Sequence, residues 1–305
     1  MPTRRHFLQT TTVLAAAVTA APWLWQSAQA AEPLLTRKIP RSGEALPVIG
    51  LGTSGNLDVD LNDATLAPLQ EVLKALLDGG GTLIDTAPSY GNSERVAGEL
   101  VKRAQARERV FLATKVSATG RERGAAQLAA SFKALQTERL DLVQVHNLQD
   151  TANQLALLRE QQQAGKVRYV GVTHYREAAL DDLLATLKKG KVDFVQFNYS
   201  VGEREAEKRL LPYCRDQGIA VLINRPFQRG NLLSGTRGKP LPPLAAELGA
   251  TSWAQLLLKF ILADPAVTVV IPATSNPRYM IDNLQAGRGR LPDARQREAI
   301  ARLFA

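Results

Sequence analysis

Cysteine is almost absent from this sequence, because Cys214 is the only one among 305 residues. A single cysteine cannot form an intramolecular disulfide, which excludes a small disulfide-stapled scaffold. Cys214 falls in a segment, 210–218, that we predict to be helical, and we interpret it as a small buried apolar residue. Hydrophobic residues make up 45% and charged residues 22% of the chain, the balance of a globular protein that buries a large core without such staples.

The chain also lacks a fixed-period repeat, a low-complexity linker and a concentrated basic patch. Its formal net charge is +9, yet the basic residues are scattered, as at Lys188, Lys189, Arg288 and Arg290, with no aromatic residues between them. This distribution is not typical of a nucleic-acid-binding surface, so we expect no nucleic-acid partner. A phosphate-bearing cofactor would use part of the positive charge, and the rest is interpreted as solvated surface.

The first thirty residues contain no acidic side chain and differ from the rest of the chain. A twin-arginine pattern at Arg4 and Arg5 is followed by an apolar run at 11–25 and by a small-residue cleavage site, Ala-Gln-Ala, at 28–30. The apolar run is too short and too rich in alanine and threonine for a transmembrane helix, which needs about 20 strongly apolar residues. The combination resembles the signals that direct folded bacterial proteins through the twin-arginine route.

We therefore predict a twin-arginine signal peptide at residues 1–30 and a mature domain at 31–305, with a charge of +7 once Arg4 and Arg5 are removed. The expected location is the periplasm, and the expected export partner is the twin-arginine machinery. No stable membrane span is expected after cleavage. An uncleaved N-terminal anchor is the alternative interpretation. Export in the folded state would fit a cofactor that is acquired beforehand.

From residue 48 onward, short apolar strands alternate with helical patterns. The predicted strands are 48–53, 82–87, 110–116, 140–146, 167–173, 194–199, 220–226 and 267–272, and the predicted helices are 66–77, 94–104, 125–135, 151–163, 178–188, 203–215, 251–263 and 277–284. The strands are continuous buried runs rather than alternating ones, which is typical of a parallel sheet covered by helices. Eight such units in about 250 residues predict a closed (β/α)8 TIM barrel.

An additional hairpin is predicted before the first barrel strand. Residues 37–47 read as two short strands around a turn at Ser42 and Gly43. We expect this N-terminal β-hairpin to cap the bottom of the barrel.

Polar side chains stand at the ends of three neighbouring predicted strands. The carboxyl ends of the strands surround the active site in barrels of this kind. The second strand ends at Asp85 and is followed by Tyr90, Lys115 closes the third strand, and His146 closes the fourth. These four residues are the candidate catalytic group.

The four residue types suit the reduction of a carbonyl, in which a proton must reach oxygen while hydride reaches carbon. Free tyrosine holds its proton up to about pH 10, and a neighbouring ammonium favours the release of that proton. Lys115 would assist Tyr90 in this way, and Asp85 would keep Lys115 charged and aimed. His146 would orient the carbonyl oxygen.

Each candidate also has a purely structural interpretation. Asp85 and Lys115 would then be an ion pair inside the barrel mouth, which is weak evidence of function. Tyr90 would be a loop aromatic, and His146 a core histidine. The presence of all four types at neighbouring strand ends favours the catalytic interpretation.

A glycine-rich pattern at residues 50–55, G-x-G-x-x-G, directly follows a strand. A dinucleotide-binding Rossmann motif also needs a helix that opens there and an acidic residue about 20 residues later. A polar stretch follows at 56–64 instead, and the acid at the end of the next strand is Asp85. We therefore interpret these glycines as the end of the first barrel strand.

Longer stretches around these residues resemble the aldo-keto reductase superfamily, in order, over residues 36–290. The similar segments are 83–91 with Glu94, 113–115, 142–146, 195–199, and 271–272 with Asp282 and Asn283. The resemblance implies that the four candidates form the family's catalytic tetrad, with Tyr90 as the general acid. It also implies NADPH, less often NADH, bound in extended form across the barrel mouth, and no metal ion.

The resemblance further implies cofactor contacts at individual positions. Gly52 and Thr53 would lie near the nicotinamide ribose, and Gln196 would bond the nicotinamide carboxamide. Asn283 would meet the adenine. The expected contacts to the 2′-phosphate are Thr274, Ser275 and Arg278, with arginine able to bind in bidentate fashion, although a lysine common in the family is absent from this segment.

Two segments depart from the family pattern. Thr173 and His174 stand in place of the usual Ser-Asn pair, which puts the second carboxamide contact in doubt. At the end of the seventh barrel strand, Asn224, Arg225 and Phe227 occur where Tyr-Ser-Pro-Leu is common, so an aromatic that often stacks on nicotinamide is missing. Arg225 would then meet the cofactor phosphates, or Phe227 would replace part of the stacking. The alternative is that these residues have drifted within a subfamily without any change of activity.

The leading hypothesis is a monomeric reductase that acts on a small-molecule aldehyde or ketone with NADPH, or alternatively NADH. A second hypothesis is an exported nucleotide-binding sensor or accessory subunit with little turnover, because the periplasm is not expected to supply reduced nicotinamide. A third is a membrane-held redox partner. The loops at 54–63 and 229–239 contain no motif that identifies a substrate. We expect an open barrel mouth that accepts a broad range of substrates.

Overall fold

The computed structural model describes residues 32–304. The strands are β1 (Thr36–Lys38), β2 (Ala45–Pro47), β3 (Leu51–Gly52), β4 (Leu83–Asp85), β5 (Phe111–Val116), β6 (Leu140–His146), β7 (Val167–Thr173), β8 (Phe194–Asn198), β9 (Ala220–Asn224) and β10 (Val267–Val270). The helices are α1 (Asp63–Asp78), α2 (Ser93–Arg103), α3 (Arg121–Ala134), α4 (Thr151–Gln163), α5 (Leu180–Lys189), α6 (Leu210–Gln217), α7 (Asn231–Ser234), α8 (Pro243–Glu247), α9 (Trp253–Leu262), α10 (Pro277–Gln285) and α11 (Ala294–Arg302). The predicted signal peptide and its cleavage site lie outside the described residues.

Strands β3 to β10 form one parallel sheet whose spatial order follows the chain. Each strand pairs in parallel with the next, from β3 with β4 to β9 with β10. Parallel bridges from Ile49 to Val270 and from Gly52 to Ala273 join the two ends of this sheet. The sheet is therefore closed, and helices separate successive strands. This arrangement confirms the predicted (β/α)8 barrel.

The seam where the barrel closes requires a glycine at position 52. A Cβ atom on Gly52 would lie 2.8 Å from the carbonyl oxygen of Ile271, closer than packed atoms approach without displacement. The backbone N–H of Gly52 donates to the carbonyl of Pro272 at 3.1 Å. The glycine-rich segment thus lies at the end of the first barrel strand and serves closure, as the sequence indicated.

The N-terminal hairpin lies at the amino ends of the barrel strands, which confirms that prediction. β1 pairs antiparallel with β2, and the turn contains Gly43 at a φ of +77°. Ile39 and Leu46 are buried and pack in one cluster with residues from inside the barrel, including Phe111 and Phe194. The apolar side of the hairpin therefore closes the bottom of the barrel core.

Polar side chains satisfy backbone N–H groups at this same end. Asp141 Oδ2 accepts from the N–H of Leu112 at 2.8 Å, and Asp193 Oδ2 accepts from the N–H of Val170 at 2.9 Å. Arg107 and Arg168 also bond the carboxylate of Asp141. Because a buried N–H without a partner is costly, these acids have a structural role.

The helices cover the barrel through apolar faces. In α1, Leu66, Leu69, Leu73 and Leu76 recur at spacings of three and four residues and are at most 2% exposed, as expected for one face of a helix. Burial of each such side chain stabilises the fold by about 1.5–3 kcal/mol. Within residues 32–304 no helix is both long and apolar enough to span a membrane.

Cys214 lies in α6 and is fully buried. Burial raises the pKa of its thiol to about 12. The side chain is therefore an unreactive part of the core, in agreement with its interpretation from the sequence.

The helix predicted at 203–215 is interrupted. A short 3-10 turn, Glu205–Glu207, precedes α6, which begins at Leu210. In one continuous helix Pro212 would stand in the interior, where it lacks a donor and its ring collides with the preceding turn. In α6 it falls in the first turn, where proline is tolerated.

Three helices were not predicted from the sequence. α7 and α8 are short and lie in the long connection between β9 and α9. α11 begins with a reciprocal capping arrangement between Asp293 and Gln296, a known helix-start signal.

Candidate active site

The four candidate catalytic residues meet at the carboxyl end of the barrel. Asp85 is the last residue of β4, Lys115 is the penultimate residue of β5, and His146 is the last residue of β6. Tyr90 lies in the loop between β4 and α2. The parallel pairing of these three strands brings the side chains together, as expected for strand ends in a barrel.

Lys115 and Asp85 form a buried ion pair. The Nζ atom of Lys115 lies 2.6 Å from Oδ2 of Asp85 and also donates to the carbonyl of Thr86 at 2.8 Å. Lys115 is 1% exposed and Asp85 is 3% exposed. The other carboxylate oxygen of Asp85 accepts from Gln144 at 3.4 Å. Two buried charges are stable in this position because each is hydrogen-bonded.

The protonation state of Lys115 follows from these contacts. Burial by itself lowers the pKa of the ammonium, but the charge of Asp85 and the phenol of Tyr90 outweigh that effect and raise the pKa above its usual value. Lys115 is therefore a permanently charged group at neutral pH.

Tyr90 lies directly above this ion pair. The Nζ atom of Lys115 is 5.2 Å from the centroid of the Tyr90 ring. The rings of Tyr90 and His146 are 5.8 Å apart and meet edge to face at 84°. One phenol, one ammonium and one imidazole are thus adjacent at the mouth.

The loop that carries Tyr90 is held by a residue that the sequence analysis did not identify. Asp58, from the connection between β3 and α1, accepts at Oδ1 from the N–H of Asn92 at 2.8 Å. Gly91 has a φ of +57°, and a Cβ atom there would lie 2.1 Å from Asp58 Oδ1. The acid and the glycine thus hold the backbone that directly follows Tyr90.

His146 is a neutral imidazole in this environment. It is 8% exposed, and burial together with the charges of Lys115 and His174 lowers its pKa to about 3. Its Nδ1 atom lies 3.4 Å from the hydroxyl of Ser89. A neutral imidazole can orient a carbonyl by a hydrogen bond.

A cavity of about 770 Å³ opens above these residues. Asp85, Tyr90 and His146 line it, whereas Lys115 lies beneath its wall. Seven of the predicted cofactor positions also line it: Gly52, Thr53, Thr173, Gln196, Asn224, Arg225 and Phe227. The strand-end residues therefore surround one site.

The remaining cofactor positions lie elsewhere. His174 does not line the cavity; its ring stacks on Tyr175 at 5.7 Å, and its Nδ1 atom accepts from the N–H of Arg176. The neighbouring Tyr175 lines the cavity instead. Of the irregular Thr-His pair, Thr173 therefore lines the cavity and His174 does not.

The predicted phosphate and adenine contacts cluster at α10. Thr274 is buried and its hydroxyl accepts from the N–H of Asn276 at 3.0 Å, while Ser275 and Arg278 are exposed at the start of the helix. Asn283 is buried within α10. A helix start flanked by hydroxyls and an arginine is suited to an anionic group.

The cavity wall contains polar atoms that fit a nicotinamide. The Gln196 side chain accepts at Oε1 from the Thr173 hydroxyl at 3.1 Å, which leaves its buried Nε2 without a partner. Thr53 Oγ1, Asn147 Oδ1 and Asn224 Oδ1 are also buried without partners. Unpaired buried polar groups are costly unless a ligand or water satisfies them. A carboxamide and a ribose would supply such partners.

Several lining residues were not identified as site residues from the sequence. They are Asn147, Tyr175, Arg229 and Leu233, with Asn56 and Ser89 at the rim. Asn147 and Tyr175 each directly follow a residue that was predicted to lie in the site. That adjacency in the sequence was the signal by which they could have been found. Arg229 lies in a 3-10 turn and Leu233 in the short helix α7, and the sequence pattern predicted neither element.

Comparisons with known proteins identify the family. The model of the aldo/keto reductase family matches residues 48–300. The chain is 35% identical over 183 residues to the aldo-keto reductase YhdN of Bacillus subtilis, covering 54% of this chain and 53% of that protein. It is 30% identical over 229 residues to an NADH-specific methylglyoxal reductase of Escherichia coli, covering 65% of this chain and 66% of that protein. The aligned part thus spans between half and two thirds of these relatives.

A solved structure shows the same fold. The crystal structure of an aldo-keto reductase from Klebsiella pneumoniae in complex with NADPH superposes with a TM-score of 0.73 at 24% identity, covering 90% of this chain and 95% of that one.

Proposed function

This chain belongs to the aldo/keto reductase family, and from that premise we propose that it reduces an aldehyde or ketone to the alcohol with NADPH, with Tyr90 as the general acid. The observation that carries the proposal is the buried Lys115–Asp85 pair beneath the ring of Tyr90 and beside a neutral His146. A phenol next to an ammonium whose charged form is stabilised by a buried carboxylate is suited to giving up a proton.

Each residue of the site has a distinct part in the proposed reaction. The bound nicotinamide supplies hydride to the carbonyl carbon. Tyr90 donates its phenolic proton to the carbonyl oxygen, and Lys115 stabilises the phenolate that results. Asp85 holds the ammonium in place, and the imidazole of His146 hydrogen-bonds the carbonyl oxygen and so orients the substrate.

The proposed cofactor contacts follow from the cavity wall. Gln196 would bond the carboxamide through its free Nε2 atom, and Thr53 would bond the ribose through its free hydroxyl. Thr274, Ser275 and Arg278 would hold a 2′-phosphate at the start of α10. We propose NADPH as the preferred donor and NADH as the alternative; one relative is NADH-specific by name.

We also keep the export hypothesis as a proposal. Residues 1–30 would direct a folded, monomeric enzyme through the twin-arginine machinery to the periplasm, with residues 31–305 as the mature domain. The competing hypothesis, a nucleotide-binding sensor or accessory subunit, predicts binding of reduced nucleotide without turnover.

A direct assay separates the two functions. The purified mature chain is mixed with NADPH and phenylglyoxal, and both nucleotide oxidation and the alcohol product are measured. We expect oxidation and product in equal amounts. Tight NADPH binding, seen as a fluorescence change, with no product after prolonged incubation would favour the sensor.

A further inference from the structure

The imidazole of His146 has a single hydrogen-bond partner among residues 32–304. Its Nδ1 atom lies 3.4 Å from the hydroxyl oxygen of Ser89, and no group of the described chain bonds its Nε2 atom. A neutral imidazole has one N–H, which donates, and one bare nitrogen, which accepts. The direction of the bond between Ser89 and Nδ1 therefore decides whether Nε2 is a donor or an acceptor towards a ligand in the cavity.

This choice between two tautomers exists because the ring is neutral. Burial, and then the charges of Lys115 and His174, lower the pKa of His146 to about 3, so a ring that donates from both nitrogens is excluded near neutral pH. With the proton on Nδ1, Nε2 would be bare, and a bare nitrogen repels the lone pairs of a carbonyl oxygen. With the Ser89 hydroxyl donating to Nδ1, the proton lies on Nε2 and can be donated to a carbonyl oxygen.

A tight turn places Ser89 for this bond. The N–H of Tyr90 donates to the carbonyl of Ala87 at 3.1 Å. Pro88 and Ser89 are therefore the two central residues of a β-turn, and proline is favoured at the first of them because its ring presets the backbone angle. Ala87 is fully buried, which anchors the turn to the barrel. The turn that carries Tyr90 into the site thus also carries the hydroxyl to His146.

The backbone of His146 is held independently of Ser89. His146 pairs with Thr173 at the end of the ladder between β6 and β7, and its carbonyl accepts from the N–H of Gln149 at 3.1 Å. Asn147, the next residue, has a φ of +53°, a left-handed conformation that persists only where surrounding contacts hold it. The strand end therefore fixes the position of the ring, but it does not determine which nitrogen carries the proton.

Resting on the proposed carbonyl reduction, we propose that Ser89 is a positioning residue, whose hydroxyl donates to Nδ1 of His146 and so keeps the proton on Nε2, from which the imidazole donates to the carbonyl oxygen. Ser89 acts through His146 and does not itself touch the reacting atoms. Ser89 is exposed, and a substrate in the cavity would shield the bond from water and strengthen it.

NMR of the histidine ring nitrogens tests the proposal without turnover, because it distinguishes the protonated nitrogen from the bare one. His174 is the internal reference, since its Nδ1 atom accepts from the backbone N–H of Arg176 at 3.1 Å and must be bare. Near neutral pH we expect His146 to show the same tautomer. In Ser89→Ala its Nδ1 signal should move, because the bond is lost, and the second tautomer should appear. A proton on Nδ1 in the parent protein, or an unchanged spectrum in Ser89→Ala, would overturn the proposal.

Kinetics measures what the bond contributes to the reaction. Ser89→Ala should lower kcat/KM for phenylglyoxal by about two- to tenfold, the contribution of one neutral hydrogen bond, and leave the affinity for NADPH unchanged. Ser89→Thr, which keeps the hydroxyl, should restore both the rate and the NMR signal of the parent. In a His146→Gln background Ser89→Ala should cause no further loss. A loss of the same size there would show that Ser89 acts independently of His146 and would contradict the proposal.

Ser54 provides a matched control. It is also exposed and lines the same cavity, but its hydroxyl is not bonded to His146. Ser54→Ala should leave the Nδ1 signal of His146 as in the parent, and a shift equal to that of Ser89→Ala would show a general change in the cavity and overturn the assignment. If the parent protein reduces no carbonyl compound, the proposed function fails, whereas the NMR signals of the Ser89 variants still decide whether Ser89 sets the tautomer.

Discussion

The two ends of the barrel both bury carboxylates next to cations, yet only one end has the chemistry of an active site. At the bottom, Asp141 and Asp193 accept from backbone N–H groups and from arginines that reach solvent. At the mouth, Asp85 is held by a lysine that is itself buried, and nearby polar atoms of Thr53, Gln196 and others have no partner.

This difference shows that a buried ion pair alone does not mark a functional site. The acids at the bottom complete the hydrogen bonding of the strands, so their partners are all within the chain. The mouth has a charged pair beneath the phenol of Tyr90 and a wall in which several buried polar atoms have no partner. Unpartnered buried polar atoms occur elsewhere too, as at Ser131 Oγ and Arg288 Nε, but at the mouth they are grouped along the wall of a cavity, where a ligand can supply their partners.

The largest effect is expected from removing the charge at the mouth. Lys115→Met leaves Asp85 buried without its partner and takes the ammonium away from Tyr90. We expect kcat/KM to fall by about 10²–10⁴-fold and the free energy of unfolding to fall by about 3–5 kcal/mol. Steady-state kinetics measures kcat/KM, and urea unfolding measures the free energy of unfolding. The double variant Asp85→Asn/Lys115→Met should recover part of the stability but none of the rate.

The next effect concerns the loop that holds Tyr90. Gly91→Ala forces a side chain into the left-handed region and into the carboxylate of Asp58. We expect a loss of stability of about 1–2 kcal/mol and, because the phenol moves, a fall in kcat of about ten- to a hundredfold.

Gly165, after α4, is the control for this loop. It also has a positive φ, +72°, but a Cβ atom there meets nothing within 4 Å. Gly165→Ala should lose a similar amount of stability with no change in kcat. Equal losses of kcat in the two variants would contradict the role of Asp58 and Gly91 in positioning Tyr90.

A substitution at the bottom of the barrel should affect the stability of the protein and not its activity. Asp141→Asn weakens the bonds to Arg107 and Arg168 and should lower the free energy of unfolding by about 1–3 kcal/mol. The kcat and KM of the folded protein should stay within about twofold. A large drop in kcat while the protein is still fully folded would mean that the bottom and the mouth of the barrel are coupled.

The last prediction is a pH dependence of stability. His146 has a pKa of about 3 in the folded protein, against 6.5 for an ordinary histidine. As pH falls below about 6.5 the unfolded chain takes up this proton first, so stability is complete above that pH and declines towards about pH 3. NMR titration should show no protonation of His146 between about pH 5 and 8, with His146→Gln assigning the signal. A midpoint near 6.5 would show an exposed imidazole.

Much of the fold and the centre of the site could be predicted from the sequence, because both depend on local patterns. β6, α4 and β7 have the predicted bounds, because continuous apolar runs and helical spacing can be recognised directly in the sequence. Asp85, Lys115 and His146 are strand-end residues, and barrel topology places strand ends together.

Features that depend on contacts distant in sequence were not predicted. Asp58 reaches Asn92 across 34 positions, and no pattern near either residue indicates the contact. The presence of Tyr175 rather than His174 on the cavity wall and the left-handed backbone at Arg225 follow from loop packing. Pro212 was a readable signal, and it divides a helix that periodicity alone predicted to be continuous.

The central claim, that Tyr90 delivers the proton, is tested most directly by single-turnover hydride transfer. The mature chain is loaded with NADPH and mixed with excess 4-carboxybenzaldehyde or phenylglyoxal, and nucleotide oxidation is followed in the parent protein and in Tyr90→Phe. The account predicts that the first-order rate falls by about 10²–10⁴-fold in Tyr90→Phe while the affinity for NADPH is unchanged. A rate that is the same in both proteins would contradict it.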